Sequence, residues 1–313
     1  MNPAAALMML SVLFPAKGWF GADQAWNVTL RPPAGQTITL VMTDFAGSSL
    51  DPARDVPREF SAETTVNIKV LFPAMTTAGT YLLYAVPKEH PTAAQFIGTP
   101  LVVSVREDRR RGAPPGPMVV KVDPLSYAII STDLGDMTLA FFLDVAPVSI
   151  DNFVKLSREG FYDGLTFHRI ESDFVVQAGD PRGDGTGGPG YNIDAEFSDR
   201  KHDEGVLAMA RNSDPNESPN NPPRPEYANS AGSQFFICLN PKNTTNLNGS
   251  YSVFGKVVGS AGLKTLHAIG AMPVADKKTG RPEKPPVIKT IEIKPVTPRE
   301  NPYRALLAPT SKD

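Results

Sequence analysis

Residues 166–180 read TFHRIESDFVVQAGD, and residues 233–238 read SQFFIC. Both stretches are apolar and strand-like, and each carries a conspicuous polar residue, Arg169 in the first and a glutamine in the second. Because side chains alternate across a strand, Phe167 and Arg169 are predicted on one face and His168 on the other, toward the core. An arginine keeps its charge in proteins, so it acts as a fixed hydrogen-bond donor rather than as an acid or base. A site with that donor and no nucleophile suits a reaction without covalent chemistry.

Six segments continue this pattern in order along the second half of the chain. They are FHRI at 167–170, FVVQAGD at 174–180, GTGGPG at 185–190, GVLAMA at 205–210, SQFFI at 233–237 and VFGKV at 253–257. With these segments the region from about residue 120 to 295 resembles the cyclophilin-type peptidyl-prolyl cis-trans isomerases. The resemblance implies a closed eight-stranded antiparallel β-barrel capped by two helices, and an enzyme that accelerates rotation about Xaa-Pro bonds in proline-containing polypeptide clients without a cofactor.

The resemblance also implies a role for individual side chains. Arg169 would be the catalytic donor, and Gln177 a polar partner for the substrate backbone. The other implied substrate-binding residues are Phe174, Val175, Phe236, Leu247 and Tyr251 around the proline pocket, and Met209, Ala210, Arg211 and Gln234 along the peptide groove.

Three positions depart from the family pattern. Asn246 stands where the family often has tryptophan, Tyr251 where it often has histidine, and Val175 where methionine is common. These departures predict an altered substrate preference, and Asn246 argues against tight binding of the cyclic peptide cyclosporin. An alternative stays open, in which the barrel is a prolyl-peptide binding module without useful turnover. The retained Arg169 and Gln177 favour the enzyme.

The segment over residues 211–233 is longer than the family usually has. It contains Pro215, Pro219, Pro222, Pro223 and Pro225, and its ends lie beside the implied groove. One hypothesis is a lid or specificity loop over the groove, and the other is a tolerated surface insertion.

The first third of the chain alternates apolar and polar residues with period two. The apolar sets are Ile38, Leu40 and Met42; Val66, Ile68, Val70 and Phe72; Tyr81, Leu83 and Ala85; and Leu101, Val103 and Val105. Short alternating runs separated by turn residues predict an antiparallel β-sandwich of immunoglobulin-like type over residues 17–107. This domain carries no catalytic constellation, which fits a structural or partner-binding role.

The remaining boundaries follow from composition and from helix and strand signals. They are a linker rich in Pro, Gly and Arg at 108–118, an isomerase-type domain at 119–295 and a mobile tail at 296–313. Inside the second domain we predict strands at 127–131 and 137–143, a helix from Pro147 to Gly160, a helix near 261–269 and a closing strand at 287–293.

Composition excludes several classes of protein. The 31 basic and 33 acidic residues are nearly balanced, which gives no support for a nucleic-acid partner, and no apolar stretch is long enough for stable membrane insertion. The single cysteine, Cys238, excludes an intrachain disulfide, and the four histidines lack metal-ligand spacing. Residues 4–14, AAALMMLSVLF, could be the core of a leader over residues 1–16 of an exported protein, which we favour, or a first strand.

Overall fold

The computed structural model describes residues 11–21, 23–53, 58–76, 78–107, 118–218 and 221–307. The chain divides into two compact units, one formed by the residues up to Ser126 together with those from Pro295 onward, and the other by Tyr127–Lys294. Most of the candidate leader and nearly all of the predicted linker lie outside the described residues.

The first unit consists mainly of short strands. They are β1 Leu13–Pro15, β2 Trp19–Gly21, β3 Asn27–Leu30, β4 Ile38–Asp44, β5 Ser49–Leu50, β6 Glu59–Phe60, β7 Thr64–Asn67, β8 Gly79–Pro87, β9 Ile97–Glu107 and β10 Met118–Pro124, with helix α1 at Ile68–Leu71 and 3₁₀ turns at Pro73–Thr76 and Ala93–Gln95. They form a three-stranded sheet in the order β1-β3-β7 and a larger sheet in the order β2-β10-β9-β8-β4-β5, with β6 also paired to β4.

The two sheets share one hydrophobic core. Val28 of the small sheet is fully buried in the same cluster as Leu83 and Val103 of the large sheet. The period-two pattern predicted the inward positions of Leu83 and Val103, because residues i and i+2 of a strand share a face.

Two predictions for this unit were wrong in detail. The strand predicted over residues 66–72 ends at Asn67, whose side-chain oxygen accepts the backbone N–H of Lys69 at 3.2 Å and starts helix α1. The domain boundary predicted near Val119 falls too early, because β10 pairs with β9 and β2 of the first unit. Periodicity reports that a segment is a strand but not which sheet it joins.

The second unit contains ten strands and three helices among its described residues. They are β11 Ser126–Thr132, β12 Gly135–Phe141, α2 Pro147–Arg158, β13 Arg169–Glu171, β14 Val175–Ala178, β15 Val206–Met209, α3 Pro225–Ala228, β16 Phe235–Cys238, a 3₁₀ turn Thr245–Leu247, β17 Val253–Val258, α4 Ser260–Gly270, β18 Val274–Asp276, β19 Arg281–Pro282 and β20 Ile288–Pro295. Eight strands form one sheet in the order β13-β14-β16-β15-β17-β12-β11-β20, and β18 and β19 form a separate hairpin.

The two longer helices and the closing strand agree with the sequence prediction to within two residues. Helix α2 begins at Pro147, where the missing N–H of proline costs nothing, and its buried Phe153 packs against four aromatic rings. The ring centroids of those contacts lie 5.3 to 6.1 Å apart. This aromatic cluster fills the centre of the core behind the sheet.

The segment after β20 returns to the first unit. Helix α5, Tyr303–Leu307, presents Tyr303, which is only 2% exposed and donates its hydroxyl hydrogen to the carbonyl oxygen of Ser126 at 2.8 Å. Its ring meets Phe45 edge to face. Residues 296–307, which the sequence assigned to a mobile tail, therefore pack against the first unit in this structure.

Candidate active site

Three adjacent strands of the second unit place the predicted donor beside the predicted pocket. Arg169 in β13 lies opposite Gln177 in β14, and Gln177 lies opposite Phe236 in β16. Directly opposed residues of an antiparallel pair point to the same face of the sheet. Arg169, Gln177 and Phe236 therefore form a row on one face.

This row opens into a cavity of about 520 Å³. The cavity is lined by nine of the eleven residues assigned from the sequence, namely Arg169, Phe174, Val175, Gln177, Ala210, Arg211, Phe236, Leu247 and Tyr251. The rings of Phe236 and Tyr251 meet edge to face with their centroids 5.3 Å apart, and the buried ring of His202 stacks on Phe236 at 6.0 Å. One side of the cavity is thus a packed aromatic wall.

The guanidinium of Arg169 is held at the edge of this cavity by two acceptors. Its Nη1 donates to Oε1 of Gln177 at 2.9 Å, and its Nη2 forms an ion pair with Glu171. The side chains of Arg169 and Glu171 are 37% and 38% exposed. Because a guanidinium carries five N–H groups, these two contacts leave donors for a bound molecule.

A chain of side-chain amides continues from Arg169 across the sheet. Gln177 Nε2 donates to Oε1 of Gln234 at 2.9 Å, and Gln234 Nε2 donates to the carbonyl oxygens of Gly185 at 3.0 Å and Gly187 at 2.8 Å. These bonds fix which end of each amide is the donor. Gln177 therefore presents its oxygen to Arg169.

The predicted groove residue Gln234 lines a second cavity of about 470 Å³. Gln177, Gly185, Ala210 and Arg211 line both cavities, which therefore adjoin. A peptide bound with a side chain in the first cavity could continue into the second.

The groove position predicted for Met209 was wrong. Met209 lies opposite Phe235, not Phe236, across β15 and β16. Since Phe236 faces the cavity, Phe235 and Met209 face the core, where they are 0% and 1% exposed. The sequence motif located the strand, but a shift of one residue changes the face.

The predicted faces of Phe167 and His168 were also wrong. Regular strand begins only at Arg169, because the backbone N–H of Phe167 bonds instead to the carbonyl oxygen of Pro286 at 2.9 Å. Phe167 is fully buried in the core, and His168 lines the cavity beside Arg169. The ring nitrogens of His168 are buried. Burial lowers the pKa of His168, so its ring is neutral near pH 7.

Several cavity residues were missed by the sequence analysis. Asp276, Thr279 and Arg281 belong to the β18–β19 hairpin, which contacts β13 through Gly280. Gly280 accepts the N–H of Ile170 at 2.7 Å, and a Cβ at this glycine would lie 3.0 Å from Cγ of Arg169. The glycine indicates a turn in the sequence, but nothing local indicates where the hairpin docks.

Asn246, the position where tryptophan was expected, is exposed and does not line either cavity. No helix within the described ranges is both long and apolar enough to cross a membrane. The described residues also contain no group of three His, Cys, Asp or Glu side chains placed to hold a metal ion.

Comparison with known proteins finds relatives of the second unit. Residues 127–293 match the family model of the cyclophilin type peptidyl-prolyl cis-trans isomerases. A peptidyl-prolyl cis-trans isomerase from Synechococcus elongatus is 41% identical over 145 residues, covering 46% of this chain and 89% of the relative. One from Helicobacter pylori is 39% identical over 146 residues, covering 46% of this chain and 80% of the relative. A solved Cryptosporidium parvum enzyme of this type, in the presence of the dipeptide Ala-Pro, is 32% identical with a TM-score of 0.46, covering 54% of this chain and 99% of that chain.

The matched region contains all of the cavity residues predicted from the sequence. Over that region the structure is mainly β, with an eight-stranded sheet and few helices. On the family match and on the two bacterial relatives, the chain belongs to the cyclophilin-type peptidyl-prolyl cis-trans isomerases.

Proposed function

We propose that the 520 Å³ cavity holds the proline of an Xaa-Pro segment in a protein client and that Arg169 is the catalytic donor. The observation that carries this proposal is the half-exposed guanidinium of Arg169, fixed by Gln177 at the edge of an aromatic wall. Folding assistance follows as the role, because prolyl isomerisation is slow enough to limit folding.

The chemistry requires a change of polarity rather than a covalent step. Rotation about an amide costs about 18–20 kcal/mol, because the planar form has partial double-bond character. At the twisted midpoint this resonance is lost and the prolyl nitrogen regains a lone pair. An N–H of Arg169 aimed at that nitrogen, or at the carbonyl oxygen of the proline, bonds more strongly as the nitrogen becomes basic. Each preference of about 1.4 kcal/mol for the twisted state accelerates rotation tenfold.

The other cavity residues divide between the proline ring and the peptide backbone. Phe174, Val175, Phe236, Leu247 and Tyr251 would surround the ring, and this apolar setting favours the less polar twisted amide. Gln177 would bond the substrate backbone while orienting Arg169, and Ala210 and Gln234 would contact residues before the proline. The mechanism needs no group beyond these side chains.

We infer that the eight-stranded sheet closes into a barrel, supported by backbone bonds from Gly164 N–H to Ile288 O and from Ile288 N–H to Leu165 O, both 2.8 Å, which join the segment before β13 to the start of β20. We also infer that the first unit is an immunoglobulin-like sandwich that binds a partner. We also expect weak binding of cyclosporin, because Asn246 replaces the tryptophan that the family often has and lines neither cavity.

The test is exchange spectroscopy by NMR on a short Xaa-Pro peptide, with and without the purified chain. Acceleration that is lost in Arg169→Ala and kept in Arg158→Ala is expected, since Arg158 is an exposed arginine of α2 outside both cavities. Peptide binding without acceleration would favour the alternative of a non-catalytic recognition module. Equal acceleration by wild type and Arg169→Ala would refute the role of Arg169.

A further inference from the structure

In the long segment over residues 211–230, which we call the insertion segment, only residues near the two ends line the cavities among those that the structure describes. Of its described residues, Arg211 and Ser213 line the first cavity, and Arg211, Asn212 and Ser230 line the second. Its described residues between Asp214 and Asn229 line neither. The segment therefore stands beside the site, which argues against a lid.

The two halves of the insertion segment are tied together by a buried carboxylate. Oδ2 of Asp214 accepts both the backbone N–H and the Nε–H of Arg224 at 2.9 Å, and its Oδ1 accepts Nη2 of Arg224 at 3.0 Å. The side chain of Asp214 is 0% exposed, and the Arg224 guanidinium holds the pKa of this carboxyl well below its usual range. A pair with this geometry fixes Asp214 and Arg224 relative to one another.

Arg211 is the point at which the insertion segment meets the aromatic wall. Its Nε donates to the carbonyl oxygen of Ser250 at 2.9 Å, its Nη1 to that of Asn212 at 3.0 Å, and its Nη2 to Oε1 of Glu217 at 2.6 Å. Its side chain is only 1% exposed. The guanidinium carbon lies 4.5 Å from the centroid of the Tyr251 ring.

Arg211 therefore uses three of its N–H donors for hydrogen bonds within the protein rather than for a bound peptide. Among its three acceptors only Glu217 carries a negative charge. Removing one member of a buried ion pair leaves the other charge uncompensated, so the remaining group moves toward water. If Arg211 moved, the Tyr251 ring would lose the cation on its face.

We propose that the insertion segment is a buttress, in which Glu217 is a positioning residue that holds Arg211 against Tyr251 and so fixes the wall that receives the proline ring. Tyr251 transmits the effect because its ring packs edge to face on Phe236. This inference rests on the proposed proline cavity and adds a determinant of substrate affinity within it.

The test compares Glu217→Ala with Glu217→Gln, which keeps an acceptor for Arg211. The matched control is Glu226→Ala, since Glu226 is in the same segment, is 61% exposed and pairs with Arg224 at 3.5 Å. NMR titration gives the Kd of an Xaa-Pro peptide, and exchange spectroscopy gives its interconversion rate in the bound state. We expect Glu217→Ala to raise Kd about fivefold and change the bound-state rate less than about twofold. Glu226→Ala should stay within about twofold of wild type in both, and Glu217→Gln, which keeps an acceptor but loses the charge, should raise Kd less than Glu217→Ala.

The aromatic resonances of Tyr251, assigned with Tyr251→Phe, provide a second readout. They should shift in Glu217→Ala and stay in place in the control. An unchanged Kd in Glu217→Ala, or an equal loss in Glu226→Ala, would overturn the buttress. If Glu217→Ala does not fold, Arg211→Met removes the buried cation instead and should raise Kd by a similar factor. An unchanged Kd in Arg211→Met would also overturn the buttress. Because Kd is measured apart from acceleration, loss of the isomerase proposal and loss of the buttress are distinguishable.

Discussion

Replacing Glu171 by glutamine is expected to raise kcat/KM for Xaa-Pro peptides. Glu171 lies two residues from Arg169 on the same face of β13, and its carboxylate pairs with Nη2 of that arginine. A substrate that bonds Nη2 competes with the carboxylate for this nitrogen, and the negative charge also weakens the attraction of the guanidinium for the prolyl lone pair. Both effects oppose catalysis, so removing the charge should help.

The size of the expected gain in kcat/KM follows from the exposure of the Arg169–Glu171 pair. The two side chains are 37% and 38% exposed, and pairs as accessible as this contribute about 0.2–1 kcal/mol. Since about 1.4 kcal/mol corresponds to tenfold in rate, the ceiling is about fivefold. Gln177 still orients Arg169 in the variant, so the donor should keep its place.

The assay is exchange spectroscopy on a short Xaa-Pro peptide at low and high salt. At about 1 M salt, where the Debye length is about 3 Å, wild type and Glu171→Gln should converge. Glu292→Gln is the control, because Glu292 forms a comparable exposed pair with Lys294 at 3.4 Å and lines neither cavity. A fall in kcat/KM on replacing Glu171 would refute the reasoning and show that the carboxylate positions Arg169 instead of competing for it.

Three further predictions concern stability. Gly179→Ala should destabilise the chain by more than about 3 kcal/mol in urea unfolding, because φ is +87° and the new Cβ would lie 2.3 Å from the Ser233 carbonyl oxygen. The control is Gly249→Ala, where φ is +77° but no atom lies within 4 Å of the new Cβ, so the substitution should cost only about 1 kcal/mol. Phe153→Ala should cost about 3–5 kcal/mol in thermal or urea unfolding, because it empties the centre of the aromatic cluster. Burial lowers the pKa of His202 below its ordinary 6.5. The stability that neutral His202 contributes is therefore fully present above pH 6.5 and is lost as the pH falls below that value. The urea midpoint of His202→Asn should drop less than that of wild type between about pH 7.5 and 5.

The parts of this structure that could be predicted from sequence are those in which a local pattern has one physical outcome. Alternation in β4 and β8 predicted their buried faces, and Pro147 predicted the start of α2. The predicted faces of Phe167 and Met209 were wrong, because the hydrogen-bonding partner of a strand decides at which residue the alternation of side chains between the two faces begins. The docking of the β18–β19 hairpin on β13 is a long-range pairing that its own residues do not encode.

Two of the arginines that line the cavity, Arg169 and Arg211, show why exposure, rather than residue type, separates their roles. The sequence placed Arg169 and Arg211 at the same site, yet the first side chain is 37% exposed and the second 1%. Arg169 has one neutral acceptor, Gln177, and one carboxylate that a substrate can displace. Arg211 has two carbonyl acceptors and a largely buried carboxylate, so three of its donors are already bonded within the protein. The first arginine is therefore accessible for the proposed catalytic role, and the second fits the proposed buttress.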